Sequence, residues 1–321
     1  MNTSVKSYPL MEKATDENFN EDAYLDANPD VARAVKEGLS VLSGRQHFDI
    51  FGKNEGRCIR LPLSVIAEPK RIKLEKIRPL LCDDLTYIEK TGHFYDFLNT
   101  EIRSKYNILD TLAVSSNNYD RNIEKLISKY ANGLILDCGA GRRDEYFENI
   151  VNLEIVGYDS TDVIGVGEML PFIDNSFDAV ISLSVLEHVK DPFRCAREIS
   201  RVLKPGGQLI CSVPFLQPYH GYPSHYFNMT YQGLMSLFDG ILDFDKIEIN
   251  EMALPIWSLT WILRNWADGL KGETRNEFLQ LKVADLIDTG DKYLDKSYVK
   301  ELTEEKNREL AYATVLFSHK K

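Results

Sequence analysis

The sequence predicts an α/β protein: a doubly wound, mostly parallel sheet of about seven strands, preceded by a small all-α module. From about residue 117 onward, short apolar runs alternate with stretches of helical period, the pattern of strands joined by crossover helices. The first of those runs delivers an acidic residue into a glycine-rich turn, at the strand end where doubly wound sheets hold their ligands. Upstream, between residues 16 and 62, apolar residues recur at helical spacing and glycines stop each short run, which predicts the module.

Size and charge fit this reading. A chain of 321 residues, 44% apolar and 27% charged, holds one large domain and a small one without metal or disulfide staples. Its formal net charge of -11 disfavours a phosphate backbone as the main partner, so no nucleic-acid partner is expected. Cys58, Cys82, Cys138, Cys195 and Cys211 are scattered and form no CxxC pair. Neither a zinc site nor a disulfide framework is expected, and a reducing compartment fits. The first ten residues lack an apolar core of signal-peptide length, and no apolar run is long enough to span a membrane. The expected location is cytoplasmic.

In chain order, the polar residues 1–15 are expected to form a disordered tail. The helical module follows over 16–62, with Pro29 placed in a first helical turn after Asn28, and Gly38, Gly44, Gly52 and Gly56 at run ends. Residues 63–116 read as a linker and helical extension, marked by Pro69 and Pro79. Its basic run, 70–76, is expected to be a solvated face, with an anionic membrane or glycan as the second reading. The main domain is expected over 117–321. It opens on a helix at 123–130, then strands at 134–136, 149–153, 161–166 and 179–183. A helix over 191–203 stops at Pro205-Gly206-Gly207, and a fifth strand covers 208–213. The runs 244–252 and 311–317 are read as two closing strands.

The glycine turn carries the ligand reading. Asp137-Cys138-Gly139-Ala140-Gly141 follows the apolar run 134–136. Without a Cβ, Gly139 and Gly141 let the chain turn tightly and let a ligand approach the backbone. A dinucleotide's pyrophosphate prefers a helix start free of negative charge. A cationic nucleoside without phosphate suits Asp137 instead. Glu154 ends the second strand run and is placed to accept hydrogen bonds from ribose hydroxyls, each worth roughly 1.5–3 kcal/mol to a charged acceptor. Asp159 is the rival, but lies in the loop beyond.

The order Asp137-x-Gly139-x-Gly141, Glu154, Met169-Leu170-Pro171-Phe172, Asn175-Ser176-Phe177-Asp178, Val185-Leu186-Glu187-His188-Val189 and Leu203-Lys204-Pro205-Gly206-Gly207 resembles the class I S-adenosylmethionine-dependent methyltransferases, in their ubiquinone/menaquinone-biosynthesis-like branch. The resemblance implies a Rossmann-like fold, S-adenosyl-L-methionine as cofactor, and a cofactor set of Asp137, Cys138, Gly139, Ala140, Gly141, Glu154, Glu168, Met169, Ser182 and Leu183. Two positions depart from it. Arg143 stands at the family's third glycine, either meeting the cofactor carboxylate or facing water. Val166 stands where an aspartate commonly meets the adenine, with Glu168 as substitute. The upstream pattern YLxxNPDVxxAVxxG…HFxxFGxxEGR resembles a small helical module appended to bacterial enzymes, which implies a binding or assembly role.

Methyl transfer at a sulfonium carbon needs mainly alignment, which supplies effective molarities of about 10⁵–10⁸ M. A base helps when the acceptor is a hydroxyl. His220, Tyr222 and His225 follow the fifth strand and are the expected catalytic residues, with pocket shaping as their other reading; His188 is expected on the cofactor side. The apolar tract 252–266, with all three tryptophans, reads as core or lid, or as a surface for a lipid, an apolar substrate or a peripheral membrane contact. The expected acceptor is a small molecule, lipid or glycan. A non-catalytic subunit of the same fold, serving surface-polysaccharide synthesis, is the second reading. A nicotinamide-dependent oxidoreductase, the third, is disfavoured by Asp137 and the absent third glycine.

Overall fold

The computed structural model describes residues 5–38, 41–83, 85, 87–90, 93–109, 118–221 and 223–314. The chain divides into two compact units, Met1–Ser212 and Val213–Lys321. Among the described residues, eleven strands lie in the first: β1 (Ser7–Pro9), β2 (Met11–Lys13), β3 (Cys58–Arg60), β4 (Ile88–Lys90), β5 (Phe94–Asp96), β6 (Ile135–Cys138), β7 (Glu145–Phe147), β8 (Ile150–Glu154), β9 (Val163–Ile164), β10 (Phe177–Leu183) and β11 (Leu203–Ser212).

Seven of them form one sheet in the order β11-β10-β6-β8-β9-β5-β4. All neighbours are parallel except the β4–β5 pair. The chain leaves β6 for β8 on one side and returns through β10 on the other, so the direction of winding reverses between β6 and β10. In open sheets, ligands bind outside the strand ends at that switch point. The amphipathic helix Arg121–Lys129 covers one face, its Ile123, Leu126 and Ile127 packing on Ile135, Ile150, Ala179 and Ile181. Cys138, an odd number of residues after Ile135, points to the other face. There it meets Cys195 of the helix Pro192–Val202.

Five expectations change. The stretch read as a disordered tail holds β1, paired antiparallel with β7, and β2, paired with β3. Strands of three residues carry no visible period; fully buried Leu10 anchors them through its N–H to Asp144 O (2.8 Å) and its carbonyl from Leu61 N–H (2.9 Å). The module is therefore not all helical. Its helices Glu21–Ala27 and Pro29–Glu37, the second opening on Asn28 with Pro29 in its first turn, pack with β3 around Tyr24, Val31, Phe48 and Ile59.

The stretch 63–116 contributes more than a linker, because β5 and β4 extend the central sheet. Within the basic run, Lys70 and Lys73 are buried rather than solvated. Lys70 Nζ donates to Asp159 O (2.5 Å) and Thr161 O (2.6 Å). Lys73 Nζ donates to Ile150 O (2.6 Å), pairs with Asp162 (3.0 Å) and lies 3.5 Å from the Tyr146 ring centroid. Burial pulls Lys73 down to about 8 against that pairing. Lys70 ties the helix Ala67–Ile77 to the backbone that leads from β8 into β9, and Lys73 ties it to the start of β8.

The second unit holds the helices Tyr231–Phe238, Pro255–Asp268 and Gly272–Gln280, among others. The run 244–250 is irregular, with Phe244 44%, Ile247 54% and Ile249 72% exposed, so it is not the buried closing strand the apolar spacing suggested. Residues 311–314 are also irregular, and the rest of the second run lies outside the described residues.

Candidate functional site

The glycine turn sits directly after β6. Gly139 has φ +85° and Gly141 φ +64°, left-handed values that favour glycine. A Cβ on Gly139 would strike Val185 Cγ2 at 2.4 Å, so the turn after β10 closes on the turn after β6. The N–H groups of Gly139 and Ala140 both donate to Leu153 O, at 2.9 and 3.0 Å, binding the loop to β8.

Two buried carboxylates border this loop. Asp137 Oδ2 accepts from the Tyr119 hydroxyl (2.6 Å) and from Arg143 Nε (3.0 Å) and Nη2. The Arg143 guanidinium also lies over the Tyr119 ring, 4.2 Å from its centroid. Asp137 Oδ1 is buried and has no hydrogen-bond partner among the described residues. Arg143 thus neither faces water nor reaches outward. It is 6% exposed and neutralises Asp137, which explains an arginine where the family has glycine.

Glu154 ends β8 and is buried. Its Oε2 accepts the Gly141 N–H (2.8 Å) and its Oε1 the Ile155 N–H (2.6 Å). Burial pushes its carboxyl up to about 7, with the two amides pulling the other way. The Gly141 amide therefore points at a carboxylate, not at an open phosphate cradle. Asp159, the rival, is held instead by Arg60, at 2.7 and 2.8 Å. Burial raises it, but those bonds and the charges of Arg60 and Arg142 outweigh that and leave it below its ordinary value.

The loop is also held from the amino-terminal module. Arg60 on β3 donates to Asp144 (2.9 Å) and to Arg143 O (2.6 Å), and is itself buried. Arg142 forms a two-point pair with Asp26 of the helix Glu21–Ala27, at 2.5 and 2.6 Å. Neither contact was visible in the sequence, because each partner lies far away along the chain.

The other expected cofactor residues follow neighbouring strand ends. Ser182 and Leu183 finish β10, with Ser182 fully buried. Glu168 lies after β9, buried, and its Oε1 accepts the Lys190 N–H (3.0 Å); burial raises it, and backbone amides oppose the rise. It braces the turn after β10. Met169 bridges back to Val166, which is buried where the family's aspartate would stand.

His220 and His225 belong to the second unit. The His220 N–H donates to His225 Nδ1 (3.1 Å), and His225 Nε2 donates to Asn228 Oδ1 (2.9 Å). His220 Nδ1 sits 2.9 Å from Pro218 O, so it carries the proton and Nε2 is the basic nitrogen. Burial lowers the His225 pKa, and His220 lowers it further. Tyr222 lies outside the described residues.

Set beside known proteins, residues 136–211 match the family model of the methyltransferase domain. The ubiquinone/menaquinone biosynthesis C-methyltransferase of Pasteurella multocida (strain Pm70) is 32% identical over 120 residues, 36% of this chain and 44% of that protein. This chain thus matches less than half the length of that relative. A Thermotoga maritima structure described as an S-adenosylmethionine-dependent methyltransferase is 24% identical, covering 33% of this chain and 60% of its own, with a TM-score of 0.26. The YcgJ protein of Bacillus subtilis is 16% identical, covering 50% and 88%, with a TM-score of 0.33. A glycine loop bordered by two buried carboxylates, with Asp137 Oδ1 left to a ligand, fits a cationic nucleoside rather than a pyrophosphate. Residues 136–211 thus match the methyltransferase domain and are similar to the class I S-adenosylmethionine-dependent methyltransferases, whose cofactor is S-adenosyl-L-methionine.

Proposed function

We propose that the chain transfers a methyl group from S-adenosyl-L-methionine to a small-molecule, lipid or glycan acceptor. Asp137 carries this reading. Its buried carboxylate has one oxygen tied to Arg143 and Tyr119 and the other without a partner among the described residues, at the mouth of a glycine loop. An unsatisfied buried oxygen is costly unless a ligand completes it, and an ammonium does so with charge assistance. The cofactor supplies an activated methyl group. Gly139 and Gly141 let it approach the backbone, Asp137 holds its positive end, and Glu154 accepts from its ribose hydroxyls. Lys70, Lys73 and Arg60 keep the surrounding backbone in place.

Calorimetric titration tests this reading. Glu154→Ala should weaken S-adenosylmethionine binding at least tenfold, equivalent to about 1.4 kcal/mol. Hydroxyl donors favour the ionised carboxyl, which forms above about pH 7 in the free protein. Wild-type affinity should therefore fall as the pH drops from 8 to 6, and Glu154→Gln should flatten that slope. An unchanged affinity in Glu154→Ala would refute the ribose contact. Binding of NADH in place of S-adenosylmethionine would refute the whole reading.

A further inference from the structure

Glu187 has a conspicuous place in the first unit that nothing above uses. It lies in the turn after β10, four residues beyond Leu183 (187 − 183), and β10 flanks the switch point opposite β8. That turn closes on the cofactor loop, since Val185 fills the space beside Gly139. Glu187 is 0% exposed, and among the described residues neither carboxyl oxygen has a hydrogen-bond partner. Such an oxygen pair in a native fold calls for an explanation, and a reacting ligand is one of the few available. Structural carboxylates elsewhere in the first unit look different: Glu168 accepts backbone amides, and Asp159 is paired with arginine.

Its neighbours suit a proton acceptor. His188 Nε2 is 3.8 Å from Glu187 Oε1, and its side chain is partly exposed, which gives a proton taken by the carboxylate a route outward. On β11, Cys211 pairs in register with Ser182, and burial, followed by the charge of Glu187, pushes its thiol up to about 12. Within the first unit, the titratable groups beside Glu187 include an imidazole on its own turn and a thiol on the adjacent strand. Burial lifts its carboxyl to about 8, with its own backbone amide pulling the other way. A carboxylate of that basicity is matched to a hydroxyl proton far better than an ordinary one.

Resting on the methyl-transfer reading above, we propose that Glu187 is the general base of the acceptor site and that the acceptor is an alcohol or phenol, methylated on oxygen. The acceptor's O–H proton passes to the Glu187 carboxylate as its oxygen bonds to the methyl carbon. The carbon–sulfur bond breaks with its electron pair left on sulfur, which turns the sulfonium into a neutral thioether. The proton then leaves through His188.

The test uses the full chain, tritium-labelled S-adenosylmethionine and an extract of the source cells. Wild type should label a product whose methyl is released as volatile methyl iodide by hot hydroiodic acid, as an O-methyl ether is and a C-methyl group is not. Glu187→Gln should keep cofactor affinity within about twofold while labelling falls ~100-fold, the usual scale for a lost base. Initial labelling rates should rise with pH through about 8 in the wild type. A product stable to hydroiodic acid, full labelling by Glu187→Gln, loss of wild-type labelling with EDTA, or a wild type that binds cofactor yet labels nothing would each overturn the proposal. Failure of the wild type to bind the cofactor would instead sink the reading beneath it. Should Glu187→Gln not fold, Glu187→Asp serves: a shortened base must cut the rate with affinity unchanged.

Discussion

The loop 137–144 and the segment 217–228 are both rich in polar contacts, but they are held in opposite ways. Around the loop, Arg60 reaches Arg143, Asp144 and Asp159 across 83, 84 and 99 positions, and Arg142 reaches Asp26 across 116. In the histidine segment, the bonds of His220, His225 and Asn228 span 2 to 11 positions. The loop is fixed by the whole of the first unit. Those side-chain bonds of the histidine segment are local, while the Tyr219 N–H also donates to Glu309 O (2.9 Å). Long-range anchoring suits a site that must hold one invariant ligand in one pose. Local anchoring suits a site whose partner differs from protein to protein, since a short segment changes without disturbing the core.

Arg143→Ala should break this contrast most severely. It strands the Asp137 carboxylate in the interior with only Tyr119 as partner. Breaking a buried ion pair from one side costs about 3–5 kcal/mol. At roughly 2–4 °C per kcal/mol for a domain of this size, the melting temperature should fall by ~10 °C. Thermal unfolding followed by circular dichroism measures it. A fall below about 2 °C would mean that the Arg143–Asp137 pair does not anchor the loop.

Arg60→Ala comes next. It removes four hydrogen bonds to Asp159, Asp144 and Arg143 O, and leaves Asp159 partly buried. About 2–3 kcal/mol of stability should go, with cofactor affinity down several-fold because the loop loosens. Asp26→Ala, which removes only an exposed partner, should cost under about 1 kcal/mol and leave affinity unchanged. Equal losses in the two variants would show that the amino-terminal module acts as a rigid block rather than through Arg60.

The same contrast decides what was legible in the sequence. The strand–loop–strand core from β6 to β11 and the pair Asp137 and Glu154 were readable, because each signal lies within about twenty consecutive residues. Short apolar runs, glycines and carboxylates at strand ends have a local physical cause. Arg60, Lys70 and Lys73 were not readable. A buried cation looks like a solvated one until its distant carbonyls and carboxylates are in place. The strands β1 and β2 were missed because three residues cannot display a period of two against noise. The run 244–250 erred in the other direction: its apolar residues alternate convincingly, yet among the described residues no strand covers them. Glu187 had no signal beyond its motif, since a lack of partners is visible only in three dimensions.

His225→Ala should have the smallest effect, and its smallness is informative. The ring of His225 accepts one amide and donates to one side chain, both within its own segment. Two neutral hydrogen bonds near the surface are worth roughly 1 kcal/mol together, so the melting temperature should move by only a few degrees. Cofactor affinity by calorimetry should stay within about twofold. If Glu187 is the base as proposed, labelling should drop less than in Glu187→Gln, since His225 Nδ1 accepts the His220 N–H. A tenfold loss of cofactor affinity would place this locally held segment in the cofactor's own machinery and erase the distinction between the two regions.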